Sequence, residues 1–297
     1  MSGIHEALES NCPPGGWESL VQVNAFLSAH MEALNTTPQL ALHGLTPVEA
    51  GRLFHSTWLG DGPIRLRLDL DDEPWDAQPA MRTTRAILAE WARRGVVRTT
   101  KTGKISARTV GAIADEVGEA IAELALPVPM TPREARAHTA DYIATLFEAG
   151  LLVDGAGGVV LSRDGERMAR GLESGRLAAL VCDARLRVVA PTDTTEFDAL
   201  VVGVRQPAMV IRALCRMKHD EFSVESLTRA AFTPPLSAPQ HLDEDSLDCC
   251  SLFVLLSYLI PLAEFGLVES VDNGRVERPG EVRFVRTPRF GRFVRLV

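Results

Sequence analysis

At 297 residues, with 46% hydrophobic and 24% charged side chains, the chain can hold two or three domains, each with its own core. A formal net charge of −8 excludes a uniformly basic coat and leaves only local basic patches for contact with nucleic acid. The five cysteines, at 12, 182, 215, 249 and 250, are odd in number and show no paired-ligand spacing. They read as buried thiols in a reducing cytoplasm.

Met1–Asn11 lacks a basic segment followed by an apolar one, so no secretory signal is expected there. Pro13–Gly16 reads as a turn. From Trp17 to His30, Leu20, Val21, Val23, Phe26 and Leu27 recur at helical spacing. Leu34–Pro38 is a loop, and Thr46, Pro47 and Glu49 then form the cap of a helix that ends near Gly60. Ile64–Leu70 alternates apolar and charged residues, as a half-exposed strand does. The acidic stretch Asp69–Asp76 reads as a loop and a boundary.

Arg82–Arg94 is helical, with Ile87, Leu88 and Trp91 on one face and Gly95 placed to stop it. Val96–Thr100 reads as a strand, and Ser106 opens a long helix that Pro127 and Pro129 end. Thr131-Pro132-Arg133-Glu134 repeats the earlier cap, and its helix runs through Tyr142, Ile143, Leu146 and Phe147 to Gly150. Leu151–Val153 and Val159–Leu161 flank a Gly-rich hairpin tip at Asp154–Gly158, after which Ser162 caps another helix. The stretch from Leu180 to Leu242 is weakly patterned: Arg187–Ala190 reads as a strand, Val201–Val204 as a strand or part of a helix, and Ala208–Met217 and Val224–Phe232 as helices. Asp243–Asp248 starts a helix that enters the most apolar run, Ser251–Phe265. Pro261 and Glu264 interrupt that run, so a buried core helix is expected and no membrane span. Leu267–Val271 and Val282–Val285 form the last hairpin, and Thr287-Pro288 caps a final short helix.

One phrase recurs along this path. An apolar helix stops at Gly, a short β-type run follows, and a Ser or Thr then opens a second helix. The three occurrences centre on Gly95, Gly150 and Gly266. This outline implies a mainly α chain with small β-hairpins (α+β), built of tandem winged-helix-like units behind a helical N-terminal region. The expected segments are residues 1–60 (helical), 61–129 (a first unit with an incomplete wing), 130–182 (a second unit) and 183–297 (a helical region ending in a third unit). Gly150 to Gly266 is about twice the step from Gly95 to Gly150, which leaves room for a degenerate fourth unit.

Leu34-Asn35-Thr36-Thr37-Pro38 followed by Gly44-Leu45-Thr46-Pro47 resembles a signature, L-N-N-T-P then G-L-S-P, in a group of uncharacterised bacterial proteins. The resemblance continues in Gly62–Leu66, in Val97–Ile105 and in Arg286–Phe290. It departs at Thr36 and at Lys104, where the group has Asn. It implies a whole-chain family and carries no activity with it.

Basic residues gather despite the acidic total. Arg82, Arg85, Arg93, Arg94, Arg98, Lys101, Lys104 and Arg108 fall within one stretch whose only acid is Glu90. They are the candidate nucleic-acid-binding residues, since a helix, strand and wing carrying them would contact phosphates. Arg283, Arg286, Arg289, Arg292 and Arg295 form a second series, for which pairing with acids such as Asp69–Asp76 or Asp243–Asp248 is the alternative. The seven histidines are scattered, with no H-x-x-x-H or C-x-x-C pair, so no metal and no cofactor is expected. Gly155–Gly158 lacks the Lys-Ser/Thr of a phosphate loop, and no nucleophile motif is present. The sequence thus points to a cytoplasmic, non-enzymatic binding protein with DNA or RNA as its leading partner. A protein-interaction scaffold is the alternative.

Overall fold

Side-chain caps set four of the helix starts. Ser19, Ser106, Thr131 and Ser162 each accept a hydrogen bond from the backbone N–H three residues on, and Glu134 completes a capping box with Thr131. The computed structural model describes residues 19–37, 64–118, 120, 131–188, 207–231, 244–272 and 278–296, with isolated positions 13, 46 and 48. The turn at residues 14–16, the helix from Thr46 to Gly60 and the strand at 201–204 lie outside the described residues.

The chain divides into two compact units, Met1–His55 and Ser56–Val297. In the first, helix α1 (Leu20–Thr36) carries the expected amphipathic pattern, and no residue from 21 to 37 is buried.

The second unit begins with β1 (Ile64–Leu66) and a 3₁₀ turn at Trp75–Ala77. Then come α2 (Pro79–Arg94), α3 (Ala107–Glu116) and α4 (Pro132–Glu148). The hairpin β2 (Leu152–Gly155) and β3 (Gly158–Leu161) follows. Two connecting helices, α5 (Arg163–Ala169) and α6 (Ser174–Val188), come next. The order then repeats: α7 (Pro207–Arg216), β4 (Glu221–Ser223), α8 (Val224–Ala231), α9 (Glu244–Val254) running on into α10 (Ile260–Glu264), β5 (Val268–Ser270) and β6 (Arg283–Arg286). Last are α11 (Pro288–Phe293) and β7 (Val294–Leu296), which pairs antiparallel with β1 at Ile64↔Leu296 and Leu66↔Val294. The architecture is dominantly helical with small antiparallel sheets.

The two halves share hydrogen bonds as well as element order. Leu151 N donates to Leu146 O and Leu267 N to Leu262 O, both at 2.9 Å. Ser162 N donates to Leu151 O at 3.0 Å, and Thr287 N to Leu267 O at 3.1 Å. In each half a chain segment ahead of the second helix joins the last strand. Val97 bridges to Val159, and β4 lies on β6 in a sheet ordered β4-β6-β5. Gly158 makes the first approach possible: its φ is +152°, and a Cβ there would stand 2.2 Å from Val97 O. The segment at Val97 therefore shares the hairpin at 152–161, across the boundary expected at 129/130.

This corrects the reading of the recurring phrase. Gly95 ends the first helix of its half, whereas Gly150 and Gly266 each end the third, so the phrase marks two kinds of position. Gly150 and Gly266 stand 116 residues apart at the ends of corresponding helices, and Tyr142 and Tyr258 stand 116 residues apart within them. Arg187 and Val188, expected in a strand, belong to α6, which buries Leu177, Ala178, Val181, Cys182 and Leu186. Burial against two neighbours outweighs the local β preference of Val188.

Helix α6 packs against α4 and α10, the third helices of the two halves. Between them lies a sealed polar cluster. Tyr142 Oη donates to Glu264 Oε2 at 2.9 Å, Arg185 Nε lies 3.5 Å from the same oxygen, and the guanidinium carbon stands 4.6 Å from the Tyr142 ring centre. From α9 to α10 the helix is continuous and π-helical at Leu255–Leu259. Pro261 explains the bulge, because it offers no N–H to the preceding turn.

Candidate nucleic-acid interface

The eight basic residues singled out between Arg82 and Arg108 separate into two groups. Arg85, Arg93 and Arg94 are committed within the fold. Arg85 donates to Asp76 Oδ1 at 2.8 Å, Met168 O at 2.5 Å and Ser174 Oγ at 2.7 Å, tying α2 to the start of α6. Arg93 and Arg94 share the buried carboxylate of Glu90, at 2.6 and 2.5 Å. The hydrogen bond from Arg93, with that from Arg94, holds Glu90 below the usual carboxylate range. Arg82 is exposed on α2 and has an interaction of its own.

Arg98, Lys101, Lys104 and Arg108 are all exposed, and among the described residues none has an ion-pair partner. A compact turn holds them. Thr99 bridges to Ile105, Thr100 N donates to Lys104 O at 2.7 Å, and Gly103 N donates to Thr100 O at 2.9 Å. Gly103, at φ +77°, takes the left-handed position that closes the turn. Lys101 and Lys104 thus project from a short loop next to the hairpin, with Arg98 on its incoming arm. Ser106 then caps α3 and places Arg108 in its first turn. No Asp or Glu occurs between 98 and 108.

Sequence reasoning missed two further cations. Arg133 and Arg136 are exposed at the start of α4 and have no ion-pair partner among the described residues. The Arg136 side chain crosses α3 at Gly111, where a Cβ would sit 3.3 Å from its Nε. Gly111 is one turn beyond Arg108 on the same helix face, so α3 and α4 bring these arginines together. Their signal was in the capping motif Thr131–Glu134, where attention to the cap hid the arginine beside it.

The hairpin tip carries Asp154 and no cation, so the exposed positive charge of this half lies on the 98–108 segment and the starts of α3 and α4. Along its exposed side α4 offers Ala137, Ala140 and Ala144, which have no group to read a base edge.

The C-terminal arginines are occupied elsewhere. Arg289 pairs with Glu73 at 3.3 Å, Arg292 with Asp72 at 2.8 Å and with Glu73, and Arg283 with Asp272 at 3.1 Å. Arg286 donates to Leu214 O at 2.9 Å and Met217 O at 3.1 Å. Arg278 reaches Glu244 and Asp248, each at 3.8 Å. The pairing with acidic stretches raised as the alternative is thus the geometry of Arg289, Arg292 and Arg278.

The buried Arg185–Glu264–Tyr142 cluster is a different kind of site. Burial pushes the Glu264 carboxyl up, with Arg185 and Tyr142 pulling it back. Burial opposes the Arg185 charge most strongly, but Glu264, Tyr142 and Asp141 together outweigh it and the Arg185 pKa is raised. With Arg185 and Glu264 only 3% and 5% exposed, no substrate reaches them, and the cluster joins helices. Among the described residues no group of three or more His, Cys, Asp or Glu could hold a metal ion. The described helix Glu244–Glu264 is long and apolar enough to cross a membrane by length and composition, with half of that stretch buried inside the fold. No family model, curated protein or solved structure matches the chain.

Proposed function

We propose that residues 79–161 and 207–286 are two tandem winged helices, and that the first docks on the phosphates of DNA or RNA through Arg98, Lys101, Lys104 and Arg108. In this reading the chain makes and breaks no bond, works in the cytoplasm, and uses Glu244–Glu264 as a core helix. The observation that carries the reading is the unpaired state of these four exposed cations in a chain that pairs most of its other described arginines internally. Such unpaired charge is where condensed counterions of a nucleic acid are exchanged. Arg82, Arg93 and Arg94 flank the surface and Arg85 is left out of it. Arg108, Arg133 and Arg136 extend the surface over the starts of the second and third helices, which lie nearest the duplex in this architecture. The contact proposed is with the phosphate backbone, since the cations lie at the helix starts and in the 98–108 turn while the middle of α4 exposes Ala137, Ala140 and Ala144.

Binding to mixed-sequence duplex DNA and to RNA, followed by anisotropy from 50 to 200 mM salt, tests this. Four phosphate contacts give a log–log slope of about −3.6, a loss of roughly 150-fold over that range. Charge reversal at all four positions flattens the slope. Absence of binding at 50 mM, or a slope untouched by the reversal, refutes it. The protein-interaction alternative rests on a different surface.

A further inference from the structure

The third helices of the two halves have opposite surfaces. At the start of α4 the exposed charged residues are Arg133, Glu134 and Arg136, with Glu134 turned back onto the Thr131 cap, and the same side continues as Ala137, Ala140 and Ala144 with Asp141 beside them. At the start of α9 the residues are Glu244, Asp245 and Asp248, with Arg278 against Glu244 and Asp248 among the described residues, and the side continues as Cys249 and Leu252 and then Leu256 in the π-helical turn Leu255–Leu259. Leu252 and Leu256 are 44% and 48% exposed, large values for leucines one helical turn apart. One helix is basic and small, the other acidic and bulky. The periodicities agree: 133, 137, 140, 144 on one helix and 245, 249, 252, 256 on the other, both in steps of four, three and four.

We infer that α9 of one molecule docks on α4 of a second copy of this chain, in parallel. Leu252 and Leu256 enter the space beside Ala140 and Ala144, Cys249 lies beside Ala137, and Asp245 and Asp248 face Arg133 and Arg136. The occupant is chosen by complementarity of charge and size, since the face that fits α9 exists in this chain and stays exposed within it. Asp141 and Glu148 also lie exposed on α4; Glu148 is held by Arg187 at 2.9 Å, and Glu134 is taken up by the cap. Each copy carries one face of each kind, so a dimer that makes both contacts is reciprocal, and a pair that makes a single contact leaves one face of each kind for further copies. The inference shares Arg133 and Arg136 with the edge of the proposed phosphate surface, and Leu252→Asp with Leu256→Asp, which touches only the helix contact, separates the two readings.

Sedimentation velocity on nuclease-treated protein, as a concentration series up to about 100 μM, provides the test. Wild type associates reversibly, and more weakly at 500 mM than at 50 mM salt. Leu252→Asp with Leu256→Asp weakens association at least tenfold. Arg133→Glu with Arg136→Glu does the same, as does Asp245→Arg with Asp248→Arg. All these positions are exposed or half-buried, and far-UV circular dichroism confirms that the variants fold. The decisive result is rescue: the two charge-reversed proteins associate when mixed, and a chain carrying all four reversals associates with itself. A monomer throughout the series overturns the inference. So does association that responds to the leucines and ignores Arg133 and Arg136, which identifies a pairing of α9 with its own kind.

Discussion

Replacing Glu264 by Gln tests whether the two halves are held together by charge. The side chains of Arg185 and Glu264 are 3% and 4% exposed, with Nε 3.5 Å from Oε2. At an effective dielectric of about 20 this separation corresponds to roughly 5 kcal/mol of attraction. Removing one partner of a buried pair typically costs about 3–5 kcal/mol, because the other charge is left uncompensated. The carboxamide preserves an acceptor for Tyr142 Oη, so the loss reports the charge rather than that hydrogen bond. For a unit of this size the expected fall in Tm is about 10 °C. Arg185 Nε and Nη1 have no hydrogen-bond partner, so the pair is far from ideal geometry. Arg185→Met combined with Glu264→Gln should therefore recover most of the loss, giving a coupling of at least about 2 kcal/mol in a double-mutant cycle of urea unfolding. Two single variants that each cost under about 1 kcal/mol and simply add would refute the argument.

The remaining expectations concern a glycine, a titration and a clamp. Gly158→Ala places a Cβ on Val97 O at a backbone angle that alanine resists, and should cost about 2 kcal/mol in chemical denaturation, with faster amide exchange at Val97 and Val159. Glu90 is depressed below its usual value of 4.5, so its stabilisation is present above that pH and is lost as pH falls through the lowered value. Glu90→Gln should thus be less stable than wild type at neutral pH, and the gap should narrow as acid denaturation is followed below about pH 4.5. Glu264 is raised by burial and works in the other direction: what its carboxyl contributes is present below the ordinary value of 4.5 and is lost as pH rises through the raised value. The cost of Glu264→Gln is therefore to be read above that value, where the carboxylate faces Arg185. Glu73 is the shared acceptor of Arg289 and Arg292. Glu73→Gln should cost about 1–2 kcal/mol and leave nucleic-acid affinity unchanged, because those arginines are not part of the phosphate surface.

Where the chain's own backbone chemistry decides, the sequence could be read. The caps at Ser106, Thr131 and Ser162 and the hairpin at 152–161 needed only neighbouring residues, and all occur where expected. What escaped depends on distant partners. β7 is three residues long and is a strand only because β1 lies beside it, more than 200 residues away in the chain. β4 exists through β6 in the same way. Helix α6 is buried around much of its circumference, so it lacks the alternation of faces that identifies a surface helix. Among the candidate site residues, Lys101, Lys104 and Arg108 were legible as an acid-free basic run. The commitment of Arg85 was not, since its acceptors at Met168 and Ser174 are more than 80 residues distant.

The acidic total does not weigh against a phosphate surface, because the charges are unevenly used. Asp72 and Glu73 are turned onto Arg289 and Arg292, and Glu90 onto Arg93 and Arg94. These groups cancel within a few ångströms and project little field. A charge at Lys101 or Lys104 has no such neighbour, and at physiological salt screening confines its reach to about 8 Å. An approaching phosphate therefore meets the local excess of four positive charges between 98 and 108, not the −8 of the whole chain. The overall charge acts instead on association rate at low salt, where the screening length grows to about 30 Å at 0.01 M. Steering should then oppose encounter while contact favours binding. Raising salt from very low values should consequently speed association before the loss of contacts dominates. A phosphate site embedded in a basic protein would show only the decline.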